Sequence, residues 1–543
     1  MKTHQAIATA LHAAMGSAGA DVLFGLVGEG NVFMVDHYVH QLGGRYVRAA
    51  NEAGAMAMAV GWAKHSNRIG VCTVTQGPGL TNTVTPLVEG VKSSTPVVLL
   101  AGDTPADDLS EFQNIRQREL VTDLGAGFEP LRAPGTVVDD LNRAFSRAWT
   151  ERRPIVFNMP YDFLWQEAPY HQRPLVLPDL KTMPVHGANM DNAMGIIASA
   201  RRPVVLAGRG AIDAQAVLRK LAARLDAPLA TTLRAKDLFR DDPFNLGICG
   251  TLSTSLAADI LLESDCVIAF GASLNKHTGG LGSFFDGKKR KVLVTTSASD
   301  LGQYTEIDAG LLGDPGLIAE QMIAILDEVE IPGSGYRDDE LKARIAQQWQ
   351  TPRARKPADP DAIDVVELMR TLDQTFPQDR IFLTDGGRYE NFAWPGIHVQ
   401  HPGDYVHSVS FGAIGIGLAT AMGAAISGAG KPTLVVAGDG SFELGGFSEL
   451  LTAVREKLDL TIVVCNDSAY GAEHDHFVHR DMNPAMALLE PRDFAPIAQA
   501  MGVPSMTAAR HADLPAIVDF LNNRDPAGPC LIDVKLDPDQ MHA

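Results

Sequence analysis

Short apolar runs recur along the chain, separated by glycine turns and by longer stretches with helical spacing. In the first 160 positions they are Val22–Leu26, the short Arg45–Arg48, Gly70–Thr75, Pro96–Ala101 and Pro154–Asn158. Runs of this length without polar alternation predict strands buried on both faces. Ala6–Ala18 and the alanine- and methionine-rich Ala53–His65 predict helices, the second of them buried. The alternation returns at Pro203–Ala207, Cys266–Phe270 and Lys291–Thr295. It returns again at Ile381–Thr384, Thr433–Ala437, Leu460–Cys465 and Cys530–Val534, with a helix over Phe447–Leu458. Strand–helix alternation predicts parallel, doubly wound sheets. Pro169–Pro184 and the charged, proline-bounded Pro332–Pro360 read as linkers. The expected fold is α/β, with three doubly wound parallel-sheet domains over residues 1–168, 185–331 and 361–543. No short tandem repeat or low-complexity tract interrupts them.

The bulk numbers narrow the function. At 543 residues and about 150 per domain, three or four domains are expected. A net charge of -19 argues against nucleic acid and anionic membranes as partners. Cys72, Cys249, Cys266, Cys465 and Cys530 are scattered without CxxC spacing, so reduced core thiols are expected rather than zinc or a disulfide framework. The N-terminal residues open a helical pattern without a signal-peptide layout. The longest apolar stretch, Gly412–Ile426, is glycine-rich and too short to span a bilayer. A cytoplasmic protein is the expectation.

Two stretches carry chemistry. Thr433–Ala437 runs into Gly438-Asp439-Gly440-Ser441, and Leu460–Cys465 runs into Asn466-Asp467-Ser468-Ala469. Paired parallel strands thus bring two acidic positions to their carboxyl ends, the edge where open α/β sheets bind ligands. Hard oxygen ligands beside glycine amides suit Mg²⁺ bridged to a phosphate. Glu52 ends one strand and opens an apolar helix, which predicts a poorly solvated carboxylate. It also fits an acid that simply favours a helix N-terminus.

The two-part motif, Gly-Asp-Gly followed one helix and one strand later by Asn-Asn or a close variant, resembles the binding motif of thiamine diphosphate (ThDP) enzymes. The resemblance covers the whole chain and points to the branch of acetolactate synthase, benzaldehyde lyase and pyruvate decarboxylase. It implies a pyrimidine-binding, a central and a diphosphate-binding domain. It also implies a homodimer or homotetramer with active sites at the subunit interface. By that resemblance Asp439, Asp467 and the carbonyl of Ala469 hold Mg²⁺, Asp467 standing where the family usually has Asn. Gly438, Gly440, Ser441 and Gly471 border the diphosphate, with Gly440 and Ser441 opening a loop. Asp385-Gly386-Gly387-Arg388 resembles an acetolactate synthase loop, making Gly387 and Arg388 diphosphate candidates; Arg388 also fits a surface position. Ser410-Phe411-Gly412-Ala413-Ile414-Gly415 resembles the run whose bulky residue wedges between the cofactor rings, here Ile414.

The catalytic candidates follow in the same way. Asn51-Glu52-Ala53-Gly54-Ala55 resembles the site of the glutamate that bonds the cofactor's aminopyrimidine. Gln76, before Gly77-Pro78-Gly79 and Asn82, and Gln113, in Phe112-Gln113, resemble acetolactate synthase positions facing the substrate. Glu29 and Glu473 fall where pyruvate decarboxylases carry catalytic acids, and the His-His pair of that family is missing near Gln113. His474 and His476 offer a proton relay, or a solvated helix end. In the central domain Ala207-Gly208-Arg209-Gly210 follows a strand as in relatives that bind FAD or ADP. The stretch Thr295–Asp300 lacks their acidic pattern, so a nucleotide-free domain is favoured.

The function implied is ThDP- and Mg²⁺-dependent decarboxylation of a 2-oxo acid, carboligation of the resulting acyl anion, or both. The alternative is a C–C lyase or hydrolase acting on 2-hydroxyketones, acyloins or 1,2-diketones. A catalytically silent nucleotide-binding protein is a third reading, and Glu52 beside the metal motif argues against it.

Overall fold

The structure, a computed structural model, describes residues 1–539 apart from 106, 109, 182–186, 349–358 and 429. Parts of both expected linkers, 182–184 and 349–358, lie outside the described residues. Three six-stranded sheets organise the chain, and the strand pairs within them are parallel.

The first sheet contains β1 (Leu23–Gly25), β2 (Tyr46–Arg48), β3 (Gly70–Val74), β4 (Val97–Asp103), β5 (Gly127–Pro130) and β6 (Pro154–Pro160), in the order β2-β1-β3-β4-β6-β5. The second contains β7 (Pro203–Ala207), β8 (Leu229–Thr231), β9 (Asn245–Ile248), β10 (Cys266–Phe270), β11 (Arg290–Thr295) and β12 (Ala309–Leu312), in the order β12-β11-β10-β7-β8-β9. The third contains β13 (Ile381–Asp385), β14 (Tyr405–Val406), β15 (Thr433–Gly438), β16 (Leu460–Asn466), β17 (Ser505–Ala508) and β18 (Cys530–Lys535), in the order β14-β13-β15-β16-β18-β17. Central strands such as β3 and β16 are buried at every position. This is why their sequences are unbroken apolar runs rather than alternating ones.

Contacts group the first and third sheets in one compact unit and the second sheet in another. Within the first unit, helix α1 (Glu52–Ser66) crosses helix α3 (Gly417–Ser427) at backbone distance. A Cβ on Gly61 would lie 1.9 Å from the Thr420 carbonyl oxygen, and one on Gly423 would lie 1.9 Å from that of Met58. Only glycine allows this approach. A buried ion pair adds a second tie. Lys64 Nζ meets Glu89 Oε1, on helix α2 (Val84–Lys92), at 2.5 Å, and donates to the His407 carbonyl at 2.7 Å. Glu89 Oε2 accepts the N–H of Phe411 at 2.8 Å. The segment leading to Ile414 is thereby fastened to α1 and α2.

In the second unit the strand order reverses between β7 and β10, the position where an open sheet would offer a crevice. The glycines of the Gly-Arg-Gly turn serve packing there. Gly208 N–H donates to the Phe270 carbonyl at 2.8 Å, and Gly210 N–H to that of Gly271 at 3.0 Å. A Cβ on Gly208 would lie 2.3 Å from the Gly271 oxygen. Among the described residues, no helix is long and apolar enough to cross a membrane. All five cysteines are buried and free.

Candidate active site

The third sheet reverses its strand order between β13 and β15. At the carboxyl ends of these strands and of β16 lies a cavity of about 270 Å³. It is lined by Gly387, Arg388, Gly412, Ile414, Gly438, Asp439, Gly440, Ser441, Asp467, Ala469, Gly471 and Glu473, together with Tyr389, Val409, Cys465 and Tyr470. Register explains which acids face it. Gly438 pairs with Cys465, so Asp439 comes level with Asn466 and Asp467 one step beyond. Asn466 turns its amide away, to the Arg492 carbonyl and Asp533 Oδ1, both at 2.9 Å.

The motif Gly-Asp-Gly-Ser opens a helix rather than a loop: helix α4 runs from Asp439 to Arg455. Its first-turn N–H groups have no intrahelical partners, and such a terminus favours anions. Gly445 and Gly446 do not break it: the Gly415 backbone lies against Gly445, and the Phe442 ring against Gly446. A Cβ on Gly445 would sit 1.8 Å from the Gly415 oxygen. Ser441 Oγ donates to the Gly438 carbonyl at 2.9 Å.

Asp439 and Asp467 are both buried. Burial, and then the charge of Asp467, push the Asp439 carboxyl up to about 7, against N–H bonds from Gly440, Ser468 and Ala469. Two carboxylates held this way are a donor set for a hard cation. Among the described residues, no group of three or more His, Cys, Asp or Glu side chains could hold a metal ion. A Mg²⁺ here would draw its remaining oxygens from the Ala469 carbonyl, a bound phosphate and water.

Arg388 is not at the surface. Its Nε and Nη2 bond Asp467 Oδ2 at 3.0 and 2.7 Å, and its Nη1 bonds Asp475 Oδ1 at 2.7 Å. His474 Nδ1 lies 3.5 Å from Nη1 and is buried, while Glu473 is exposed at the cavity's rim and His476 is exposed. These residues sit on helix α5 (Gly471–Val478). Gly471 makes room for the arginine: its Cβ would lie 2.4 Å from Arg388 Nε. The excursion that carries α5 is closed at its base. Ala469 and Leu488 form an antiparallel bridge, Tyr470 N–H donates to the Ala487 carbonyl at 2.8 Å, and Leu489 N–H to that of Ser468 at 2.7 Å.

Ile414 is half-buried in a loop ahead of α3, not within a helix. It lies over Gly386, whose Cβ would meet Ile414 Cγ2 at 2.6 Å. Two acids that sequence reasoning did not single out shape this floor. Asp385 accepts the N–H of Gly415 at 3.0 Å, with further bonds from Ile416 and Gly417, and burial raises its carboxyl to about 6. Glu390 accepts from Thr384 Oγ1 at 2.6 Å and from the N–H groups of Gly386 and Gly387; burial raises it to about 8. Asp385, at a strand's carboxyl end before two glycines, carried a readable signal. Glu390 follows a turn and reads as an ordinary polar helix start.

The remaining candidates lie on the first sheet's elements. Gln76 is buried, taking the Thr75 hydroxyl at 2.6 Å and donating to Gln113 Oε1 at 2.8 Å, so its amide is engaged by neighbours. Glu52 opens α1, half-exposed rather than poorly solvated, and accepts from Asn82 Nδ2 at 3.0 Å. Glu29 is exposed and hydrogen-bonded to Tyr161. The cavity's lining comes entirely from residues 386–473, so these four stand apart from it.

Profiles for the N-terminal, central and C-terminal domains of thiamine pyrophosphate enzymes match residues 1–123, 190–322 and 385–534. The chain belongs to the thiamine diphosphate-dependent enzyme superfamily, and the three matches follow its three sheets. It is 27% identical over 534 residues to an acetolactate synthase of Mycobacterium bovis, covering 94% of this chain and 84% of the relative. It is 27% identical over 525 residues to a sulfoacetaldehyde acetyltransferase of Castellaniella defragrans, covering 91% and 87%. It is 26% identical over 538 residues to the acetolactate synthase isozyme 2 large subunit of Escherichia coli, covering 96% and 94%.

Proposed function

We propose that the chain decarboxylates a 2-oxo acid and transfers the acyl group to an acceptor, with ThDP and Mg²⁺, as an acetolactate synthase-like carboligase. The observation that supports this most is the cavity at the third sheet's reversal point, with two buried carboxylates beside a helix N-terminus. Asp439, Asp467 and the Ala469 carbonyl would hold the cation. Gly438, Gly440, Ser441, Gly387, Gly412 and Gly471 would border the diphosphate, and Ile414 would press on the cofactor's middle. When bound, the cofactor supplies an electron sink for breaking a bond next to a carbonyl.

Glu52 would handle the proton at the aminopyrimidine, and it stands outside its own chain's cavity. In this reading a second copy of the chain supplies it, giving a homodimer or a tetramer of such pairs. Leu444 and Leu451, seven residues apart on one face of α4, and Phe411 are exposed and support such a contact. Gln76, Gln113 and Glu29 would come with Glu52, and Glu473 and His474 from the cavity's own rim. A cytoplasmic location and a nucleotide-free central domain belong to the same reading. The relatives' names favour acyl transfer over acyloin or diketone cleavage.

The test is turnover of pyruvate and other 2-oxo acids with ThDP and Mg²⁺, following CO₂ and product. Glu52→Gln should lower turnover at least about a hundredfold, the scale of a lost acid–base group. Cofactor binding, followed by calorimetry, should persist. Full-rate turnover by this variant, or cleavage of acyloins without CO₂, would overturn the assignment.

A further inference from the structure

The Arg388–Asp467 pair has a feature that neither partner's sequence motif explains. Asp467 stands where the family pattern has an uncharged amide, and the extra negative charge falls beside Asp439 in a buried pocket. Arg388 meets it with two N–H groups, and both land on Oδ2. Oδ1 takes no part in the ion pair. The guanidinium is held from its far side by Asp475, with His474 alongside, and its stem lies over Gly471, where no side chain fits. Its side chain is 3% exposed, so water screens the pair little.

We propose that Arg388 is a fixed internal counter-ion of the cation site, cancelling the charge that Asp467 adds and so setting how tightly a divalent cation is held. With all groups ionised, Asp439, Asp467, Asp475 and Arg388 together carry two negative charges, so the arginine offsets one of the three carboxylates gathered here. Arg388 is in this sense a positioning residue. It acts on the cation through Asp467, and the glycine at 471 is part of the arrangement. The inference rests on the ThDP and Mg²⁺ reading of the cavity.

The test is a charge cycle in the whole 543-residue chain. Mg²⁺ binding is measured by calorimetry with saturating ThDP, and Mn²⁺ binding by electron paramagnetic resonance. Asp467→Asn alone removes a carboxylate from the cation site and leaves the arginine, still paired with Asp475, close to it, and should weaken cation binding at least tenfold. Arg388→Gln alone should tighten it severalfold while lowering the melting temperature of the cation-free protein, a pairing of effects that a purely structural role would not produce. The double variant should return to within about threefold of the wild type, and Arg388→Lys, which keeps the charge, should stay in the same range. Where Arg388→Gln alone does not fold, Asp467→Asn against the double variant still isolates the arginine's charge. Equal affinity in those two, or weakening by Arg388→Gln, overturns the proposal while leaving the cofactor reading intact. A wild-type protein that binds no cation in the presence of ThDP removes both.

Discussion

Glu390 offers a direct measure of the floor beneath the cavity. Its carboxyl is buried against Thr384 and the Gly386–Gly387 turn and is raised from 4.5 to about 8. The folded protein therefore holds it protonated at neutral pH, while the unfolded chain ionises it. Between these two values the folded state binds more protons, so stability falls as pH rises. The loss begins near pH 4.5, proceeds at about 1.4 kcal/mol per pH unit and levels off above pH 8. Replacing the residue by glutamine keeps the shape and removes the proton. The difference in unfolding free energy between wild type and Glu390→Gln should then shrink by about 2 kcal/mol from pH 6 to pH 8, and change little from pH 9 upward. Urea unfolding at each pH, with the two proteins compared at a shared m-value, reads this difference directly. A difference that stays flat across pH 6 to 8 would mean that Glu390 is ionised in the folded protein, and the account of the Gly386–Gly387 turn built on it would fall.

Other parts of the structure make separate demands. Gly61→Ala pushes a methyl group into the Thr420 carbonyl and should cost about 3 kcal/mol or more, seen as a lowered melting temperature or loss of soluble protein; a neutral result would refute the close crossing of α1 and α3. Because the described side chains offer a cation only two carboxylates at this site, ThDP and Mg²⁺ should bind interdependently. Calorimetric titration with ThDP after chelation should show at least a tenfold weaker affinity than with Mg²⁺ present. Ile414→Ala should weaken ThDP binding about tenfold, or 1.4 kcal/mol, with the fold unchanged by circular dichroism.

The sequence pattern exposed the middle of each sheet far better than its edges. Thr433–Ala437, Leu460–Cys465 and Cys266–Phe270 are buried on both faces, so their apolar runs announce them. Gly127–Pro130, Asn245–Ile248, Ala309–Leu312 and Ser505–Ala508 escaped notice because they are short outer strands, half-exposed or mixed in composition, and Tyr405–Val406, though buried, because it is only two residues long. Leu229–Thr231, next to an edge, is only three residues long. Glycines misled at the start of α4: Gly-Asp-Gly-Ser and Gly445-Gly446 look like loop, yet Gly445 lets the Gly415 backbone approach the helix and Gly446 and Gly440 make room for Phe442 and Tyr470. Within the site, acids at strand ends were legible from register. Arg388 was not, since its burial depends on α5, which lies far along the chain, and on the space left by Gly471.

The bridge between Ala469 and Leu488 also bears on how this protein can be altered. Everything from Tyr470 to Ala487 leaves the sheet and returns through one pinned doorway, and the exposed apolar residues Met482 and Met486 lie inside that stretch. The outer half of that stretch can therefore be treated as an interchangeable cassette. That half lies beyond the Arg388 partners His474 and Asp475, so loop grafts or saturation libraries there should leave Asp439, Asp467 and the sheet that presents them in their places.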